Sequence, residues 1–385
     1  MNSTSVPSLP QNIAIQYIAE GAANIVYRVS AAPLNADPRV SELEQYGEGT
    51  PPPSEIDIDQ SLFFDSSFID NKLLRLRKNL ATTLPCAVAQ EAWTRLVLPL
   101  FPPHQLVMQS LVEVRTGNIV SRLNKSLEQW EYSCAIIDGP HPSGSARPFK
   151  RRGVYLADDD HGLLVTDMSP RLPGEEIIQF KPKWLAQSPS APAAARRCRT
   201  CANVARKNAA AARLHQPLEK PFCPLDLVSS NYADIYACAE AILQPECAAA
   251  NIERFARWIQ GTTLLKRLRD RQLAMDQRGI IDPDLSNENL LVAMTLRDCT
   301  VFVKFLAEVN NDEDIEARIG DLDVKSPRKA AYWKETETPL IAEGWYAGLE
   351  RSDCRQPLTC SLSRGGHGAP QGEQDIPAGS VNRSV

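Results

Sequence analysis

The chain has 385 residues, 43% of them hydrophobic, which is enough for two packed cores of ordinary size or one large mixed domain. Its formal net charge of −5 argues against a general nucleic-acid binder, which carries a basic excess. The charge is segregated: residues 37–70 hold nine acidic side chains and one basic, residues 181–220 nine basic and one acidic, so an anion site is expected in the central segment.

"NIAIQYIAEGAANIVYRVS" (12–30) alternates apolar residues around a Gly-Ala-Ala-Asn turn and predicts a β-hairpin. Residues 33–61, acidic and proline-bearing, read as a flexible insertion. "NKLLRLRK" (71–78) predicts a strand with Leu74 and Leu76 on one face, Arg75 and Arg77 on the other. "EAWTRLVLPLF" predicts a helix ending at Pro102 and Pro103, and "VYLADDDHGLLVTDM" (154–168) two strands joined by an acidic turn. "EEIIQF" predicts a buried strand that runs straight into "KPKWL". That places Lys181 and Lys183 where lysine is rarely found without an anionic partner. An Ala-rich basic helix is expected after Ser188–Pro189, then helices over "ADIYACAEAILQ" and "NIERFARWIQGTTLLKRLRDRQLA". "LLVAMTLRDCTVFVKFL" (290–306) predicts a second β-hairpin, and residues 317–348 a strand, an acidic turn and a helix. The Gly-, Ser-, Pro- and Gln-rich tail from about residue 356 is expected to be disordered.

The N-terminus "MNSTSVPSLPQN" lacks the basic and apolar regions of a secretory signal, and no run approaches the ~18 apolar residues of a membrane span. Ten irregularly spaced cysteines then suggest free thiols in cytoplasm or nucleus. Cys198 and Cys201 have zinc-like CxxC spacing, and Cys223 with His215 would complete a set on paper; no clear second pair follows, and unliganded cysteines are the expectation.

Four stretches carry possible chemistry. "EGAAN" supplies small residues, Gly21, Ala22, Ala23 and Asn24, whose backbone N–H groups suit a phosphate, or it is an ordinary hairpin turn. The strand after it offers Arg75 as phosphate cation, with Arg77 and Lys78 in reserve. "GDLDVK" puts Asp321 and Asp323 two apart, a Mg²⁺ pair or a turn, with Lys325, Arg328 and Lys329 following. For a catalytic base, Asp282 and Asp284 each precede an Asn by five, the spacing of a protein-kinase catalytic loop, while Asp298 rivals them in "LRDC". Finally Lys181, Lys183, Arg197, Arg199, Arg206 and Lys207 would together need a ligand of several negative charges. The segments are too poor in aromatic platforms for nucleic acid.

Taken in order, "EGAANIVYRV", "LLRLRK", "IIQFKPKWL", "RRCRTC", "CPLDLVS", "LLVAMTLRDCTVFV" and "IGDLDVK" resemble the inositol-pentakisphosphate 2-kinases of fungal type, over residues 17–349. The resemblance implies an α+β protein with a divergent two-lobed kinase-like fold: a smaller N-terminal lobe over 1–170, a larger C-terminal lobe over 171–355 and a tail over 356–385. It implies transfer of phosphate from ATP, with Mg²⁺, to the 2-hydroxyl of inositol 1,3,4,5,6-pentakisphosphate by a monomer that binds neither nucleic acid nor membrane. By motif position Asp298 resembles the catalytic aspartate, Asp321 the metal aspartate assisted by Asp323, and Lys181, Lys183, Lys207, Lys325 and Lys329 the substrate cations. Arg147 in "ARP" resembles the family's upstream arginine, also on substrate. Gln179, expected at the nucleotide, stands where the family commonly has glutamate, Trp333 where tyrosine is expected, and Arg297 where "KDC" has lysine. Plant and animal members resemble a zinc-holding design, whose His/Cys set has no match here, so zinc is not carried over.

Overall fold

The computed structural model describes residues 5–11, 13–30, 66–136, 147, 149–220, 222–243, 249–286, 288–306, 315–349 and 359–364. The expected acidic insertion at 33–61 lies outside them. The fold is α+β, with eight α-helices and two sheets among the described residues. It divides into two compact units, one from Met1–Gln179, Thr300–Val309 and Asp314–Ser326, the other from Phe180–Cys299, Asn310–Glu313 and Pro327–Val385.

The first unit is built on an antiparallel sheet of order β1-β2-β3-β5-β4, comprising β1 (Ala14–Glu20), β2 (Asn24–Ser30), β3 (Lys72–Arg77), β4 (Gln109–Glu113) and β5 (His161–Thr166). Alternation along β3 does what a two-residue period dictates. Leu74 and Leu76 enter one core with Ile25, Tyr27 and Leu164, while Leu73 joins Leu163, Val165 and Cys86 in another. Helix α2 (Ile119–Ile136) contributes Ile119 and Leu127 to the first core, and α1 (Cys86–Leu96) packs against β4 and β5. Of the two strands expected in 154–168 only β5 forms; Leu156 makes an isolated bridge to Lys78. A second sheet runs β6 (Glu176–Phe180), β7 (Thr300–Phe305), β8 (Ile315–Gly320), its first strand ending at Phe180 in the other unit. Gly320 ends β8 where a Cβ would stand 3.0 Å from both the Phe302 ring and Val107, so any larger residue would require one of these side chains to shift by a few tenths of an ångström.

The second unit is helical. Helix α3 (Arg199–Arg213) begins at Cys198, whose Sγ caps the Cys201 N–H, and its small stripe Ala202, Ala205, Ala209 packs on Leu340 of α8 (Ala330–Ala342). Helices α4 (Tyr232–Leu243) and α5 (Ala249–Gly261) form a pair. The single long helix expected over 251–274 is two: α5 stops at Gly261 and Thr262 caps α6 (Thr263–Met275) by accepting from the Leu264 N–H at 3.2 Å.

The expected hairpin over 290–306 is instead helix α7 (Asn289–Leu296), a turn, and strand β7. Leu290, Val292, Ala293, Met294 and Leu296 are all buried, so the segment is apolar on every side and shows no period from which helix and strand are told apart. The tail is corrected for 359–364, where Cys360 is 1% exposed and residues Ser361–Ser363 form a 3₁₀ turn; the rest of 356–385 lies outside the described residues.

Candidate active site

In the first unit the β1–β2 turn closes through Gly21 N–H on the Asn24 carbonyl at 2.9 Å. Lys78 holds it from beneath, its backbone N–H on the Ala23 carbonyl at 2.8 Å and its Nζ on the Gly21 carbonyl at 2.9 Å. Lys78 is fully buried and also pairs with Glu20, so this reserve cation braces the turn. Arg77 is engaged with Asp159 at 2.6 Å. Arg75, the cation favoured from sequence, donates to Asp323 at 2.8 Å and to Gln109 Oε1 at 3.1 Å, and Asn24 Nδ2 donates to the other Asp323 oxygen at 3.2 Å. Asn24, Arg75 and Asp323 are thus one cluster, while Asp321 is exposed and separated from Asp323 by the buried Leu322. Asp321 holds a φ of 58°, left-handed backbone that a non-glycine residue adopts at a cost of about 1–2 kcal/mol. Gln179 is exposed on β6, and Lys325 lies half-buried beyond β8.

Arg147 is placed differently from the remaining substrate candidates. It is 1% exposed and donates to Glu20 at 2.8 Å, to Glu131 and to the Val154 carbonyl, all within the first unit. Burial alone would raise the Glu20 carboxyl; hydrogen bonds from Arg147 and Lys78 outweigh it and hold Glu20 below the usual carboxylate value. In this structure, then, Arg147 serves the core beneath the turn.

In the second unit Lys181 and Lys183 converge on Asp298. Their Nζ atoms stand 3.7 and 3.6 Å from Asp298 Oδ1, and Lys181 also donates to the Asp298 carbonyl at 2.6 Å. Burial pulls the Lys183 ammonium below the ordinary lysine value; Asp298 opposes that, and the charges of Lys181 and Lys207 add to it. Lys207, on α3, is half-exposed and pairs with Glu219 at 3.4 Å. Lys329 occupies the N-cap position of α8, without a side-chain hydrogen bond to the helix end. The two rival aspartates lie elsewhere: Asp282 has a side chain 93% exposed, and Asp284 accepts from the Ser286 N–H at 2.9 Å in a local turn.

What supports this arrangement was mostly not visible from sequence. Lys183 sits at φ 58°, and its carbonyl is held by Gln272 Nε2 at 2.9 Å. The same Gln272 accepts the Leu185 N–H at 2.9 Å and donates to the Leu296 carbonyl at 3.1 Å, tying the lysine segment to the end of α7, two residues before Asp298. The available signal was a glutamine on the face of α6 that otherwise reads Leu264, Leu265, Leu268. Arg297 and Arg199 both lie over the Trp184 ring, at 3.7 and 4.4 Å, and are neutralised by Asp276 and Glu337 at 2.6 and 2.7 Å. These cations are buried pillars of the segment rather than open ligands.

The second unit of this α+β protein thus gathers two lysines on one aspartate. Comparison with known sequences carries this to a family. The profile described as inositol-pentakisphosphate 2-kinase matches residues 17–339, and the chain belongs to that family. It is similar to an inositol-pentakisphosphate 2-kinase of Yarrowia lipolytica, 32% identical over 176 residues, 44% of this chain and 53% of that protein. It is also similar to one of Debaryomyces hansenii, 26% identical over 308 residues, 63% of this chain and 76% of that protein. The match thus spans about half the length of the Yarrowia relative and three quarters of the other.

Proposed function

We propose that the protein is an ATP-dependent kinase of divergent two-lobed kinase-like fold that phosphorylates the 2-hydroxyl of inositol 1,3,4,5,6-pentakisphosphate to give the hexakisphosphate. The observation that carries this is the convergence of Lys181 and Lys183 on Asp298, in a chain of this family. Phosphates of the substrate would compete with Asp298 for the two ammonium groups, leaving the carboxylate to orient the acceptor hydroxyl or take its proton. Lys207, Lys325 and Lys329 would add charge for the remaining phosphates. Phosphoryl transfer leaves little covalent chemistry to the protein, so positioning and charge neutralisation are its contribution.

For the nucleotide, the turn Gly21–Asn24 with Arg75 and Gln179 is the proposed contact. The donor set fits Mg²⁺: Asp321 and Asp323 offer hard carboxylate oxygens, one of them exposed and the other 36% exposed. Mg²⁺ held there would neutralise phosphate charge as the bond to the leaving group breaks. Arg75 and Asn24 fix the orientation of Asp323 for that task.

Turnover of MgATP and the pentakisphosphate, with product chromatography, tests the proposal on wild type beside Asp298→Asn. Hexakisphosphate from wild type and a loss of about 10²–10⁴ in the variant support it. Tight binding of the pentakisphosphate with no product from either protein would replace it with a binding or scaffold role.

A further inference from the structure

In protein kinases the strand cation that meets the nucleotide phosphates is paired with a carboxylate from a helix. In this first unit the corresponding partner of Arg75 is an amide. Arg75 Nη2 donates to Gln109 Oε1 on β4 at 3.1 Å, as well as to Asp323 at 2.8 Å. Helix α1, which packs against β4 and β5, carries one carboxylate, Glu91, and that is exposed. What α1 sends toward β4 is Gln90, whose Nε2 donates to the Gln109 carbonyl at 3.3 Å.

We infer that Gln109 is a positioning residue for the nucleotide, holding the Arg75 fork in place without neutralising it. The inference rests on the kinase reading above, in which Arg75 meets the nucleotide phosphates. A carboxylate at 109 would hold Arg75 more firmly, because a hydrogen bond between two ionised groups is stronger than one to a neutral amide. What the glutamine leaves unsatisfied is visible around it. Gln109 Nε2 and Arg75 Nε are buried and find no acceptor among the described residues, and Gln90 Oε1 is buried without a donor. Buried donors and acceptors left unpaired are destabilising. Glutamate at 109 would remove the first of these, since an ionised carboxylate has no N–H to satisfy. Stability forgone at this point fits a function that needs the charge of Arg75.

The consequence is electrostatic. Asp323, the carboxylate that pairs with Arg75, is 36% exposed and can yield the guanidinium to an incoming phosphate. A carboxylate in the half-buried place of Gln109 would stay on Arg75 and compete with that phosphate. The amide therefore fixes the direction of the fork and leaves its charge for the ligand, while Gln90 ties the backbone of Gln109 to α1.

The test is equilibrium binding of ATP to the full chain by calorimetry, with and without Mg²⁺ and in the absence of inositol phosphate. Wild type is compared with Gln109→Glu and Gln109→Met, and thermal unfolding and steady-state kinetics accompany the titrations. Gln109→Glu is expected to unfold no lower than wild type yet to bind ATP about 10-fold more weakly. Its KM for ATP should rise by the same factor, while KM for the pentakisphosphate stays within about twofold of wild type. Gln109→Met keeps the charge of Arg75 and loses its anchor, so it should bind ATP more tightly than Gln109→Glu while its kcat falls. A lower unfolding midpoint in Gln109→Glu, or failure of that chain to fold, marks a merely structural glutamine and overturns the inference. Gln109→Met binding ATP more weakly than Gln109→Glu overturns it too, as does affinity within about twofold of wild type in both variants. Wild type that neither binds ATP nor turns over defeats the kinase reading itself, a failure distinct from active wild type with indifferent variants.

Discussion

Gln272→Leu is the perturbation that separates a positioned lysine segment from one that merely lies where it does. Leucine keeps the volume and removes three hydrogen bonds. The Leu296 carbonyl retains a partner in the Cys299 thiol at 3.1 Å, so its loss is small. The Leu185 N–H and the Lys183 carbonyl lose the partner that joins them, and an unsatisfied buried group costs about 1–3 kcal/mol. The expected destabilisation is therefore about 2–5 kcal/mol, read as a shift of the urea midpoint without change in slope. Lys183 occupies left-handed backbone, so releasing its carbonyl also frees the segment to relax to an ordinary conformation and swing the ammonium from Asp298. A displacement of about 1 Å at such a position reduces turnover by about 10²-fold. Gln272→Glu separates the two effects, since it keeps the acceptor for the Leu185 N–H but has no donor for the Lys183 carbonyl. Gln272→Leu with stability within about 0.5 kcal/mol of wild type, and kcat and KM unchanged, would refute the reasoning.

Arg147→Ala leaves Glu20 and Glu131 buried with less positive charge, and unfolding experiments should show a loss of about 3–5 kcal/mol even without substrate; an unchanged midpoint would refute the structural role assigned to Arg147. The folded-state pKa of Lys183 lies below its free value of 10.5, so between the two the unfolded chain binds more protons and stability rises with pH, while the site loses a charge. KM for a polyphosphate should accordingly climb as pH enters that window, and Lys183→Arg should hold KM flat to higher pH; identical alkaline profiles would count against Lys183 as a ligand. Asp282→Asn and Asp284→Asn should leave kcat within about twofold of wild type, because one carboxylate is solvated and the other closes a local turn.

How much of this the chain disclosed depends on what each residue type can signal. The β1–β2 hairpin and β3 were legible because one or both faces bury apolar side chains at a period of two; β6, expected as a buried strand, buries only Phe180. Helix α7 was not, for "LLVAMTL" is apolar on all sides and a buried helix then looks like a buried strand. The lysines and Asp298 were legible as chemistry, since cations beside apolar runs are costly enough to require a reason. Their supports were not: Gln272 is one polar residue on a leucine face, and its partners are backbone groups that leave no mark in sequence. Cys360 was hidden by its neighbours, because low-complexity composition describes a segment on average while a single buried sulfur decides where six of its residues go.

If Lys181 and Lys183 bind substrate as proposed, selectivity would follow from the balance of charge around Asp298. Two lysines 3.6–3.7 Å from one carboxylate leave a net positive charge in a half-buried place, held there by Gln272 against backbone strain. A ligand with one phosphate would exchange one ion pair for another and gain little. A ligand with several adjacent phosphates relieves the mutual repulsion of Lys181, Lys183 and Lys207 at once, and the gain grows with each phosphate added. On the proposed reading, then, the site would discriminate by charge count before any contact to the ring is considered.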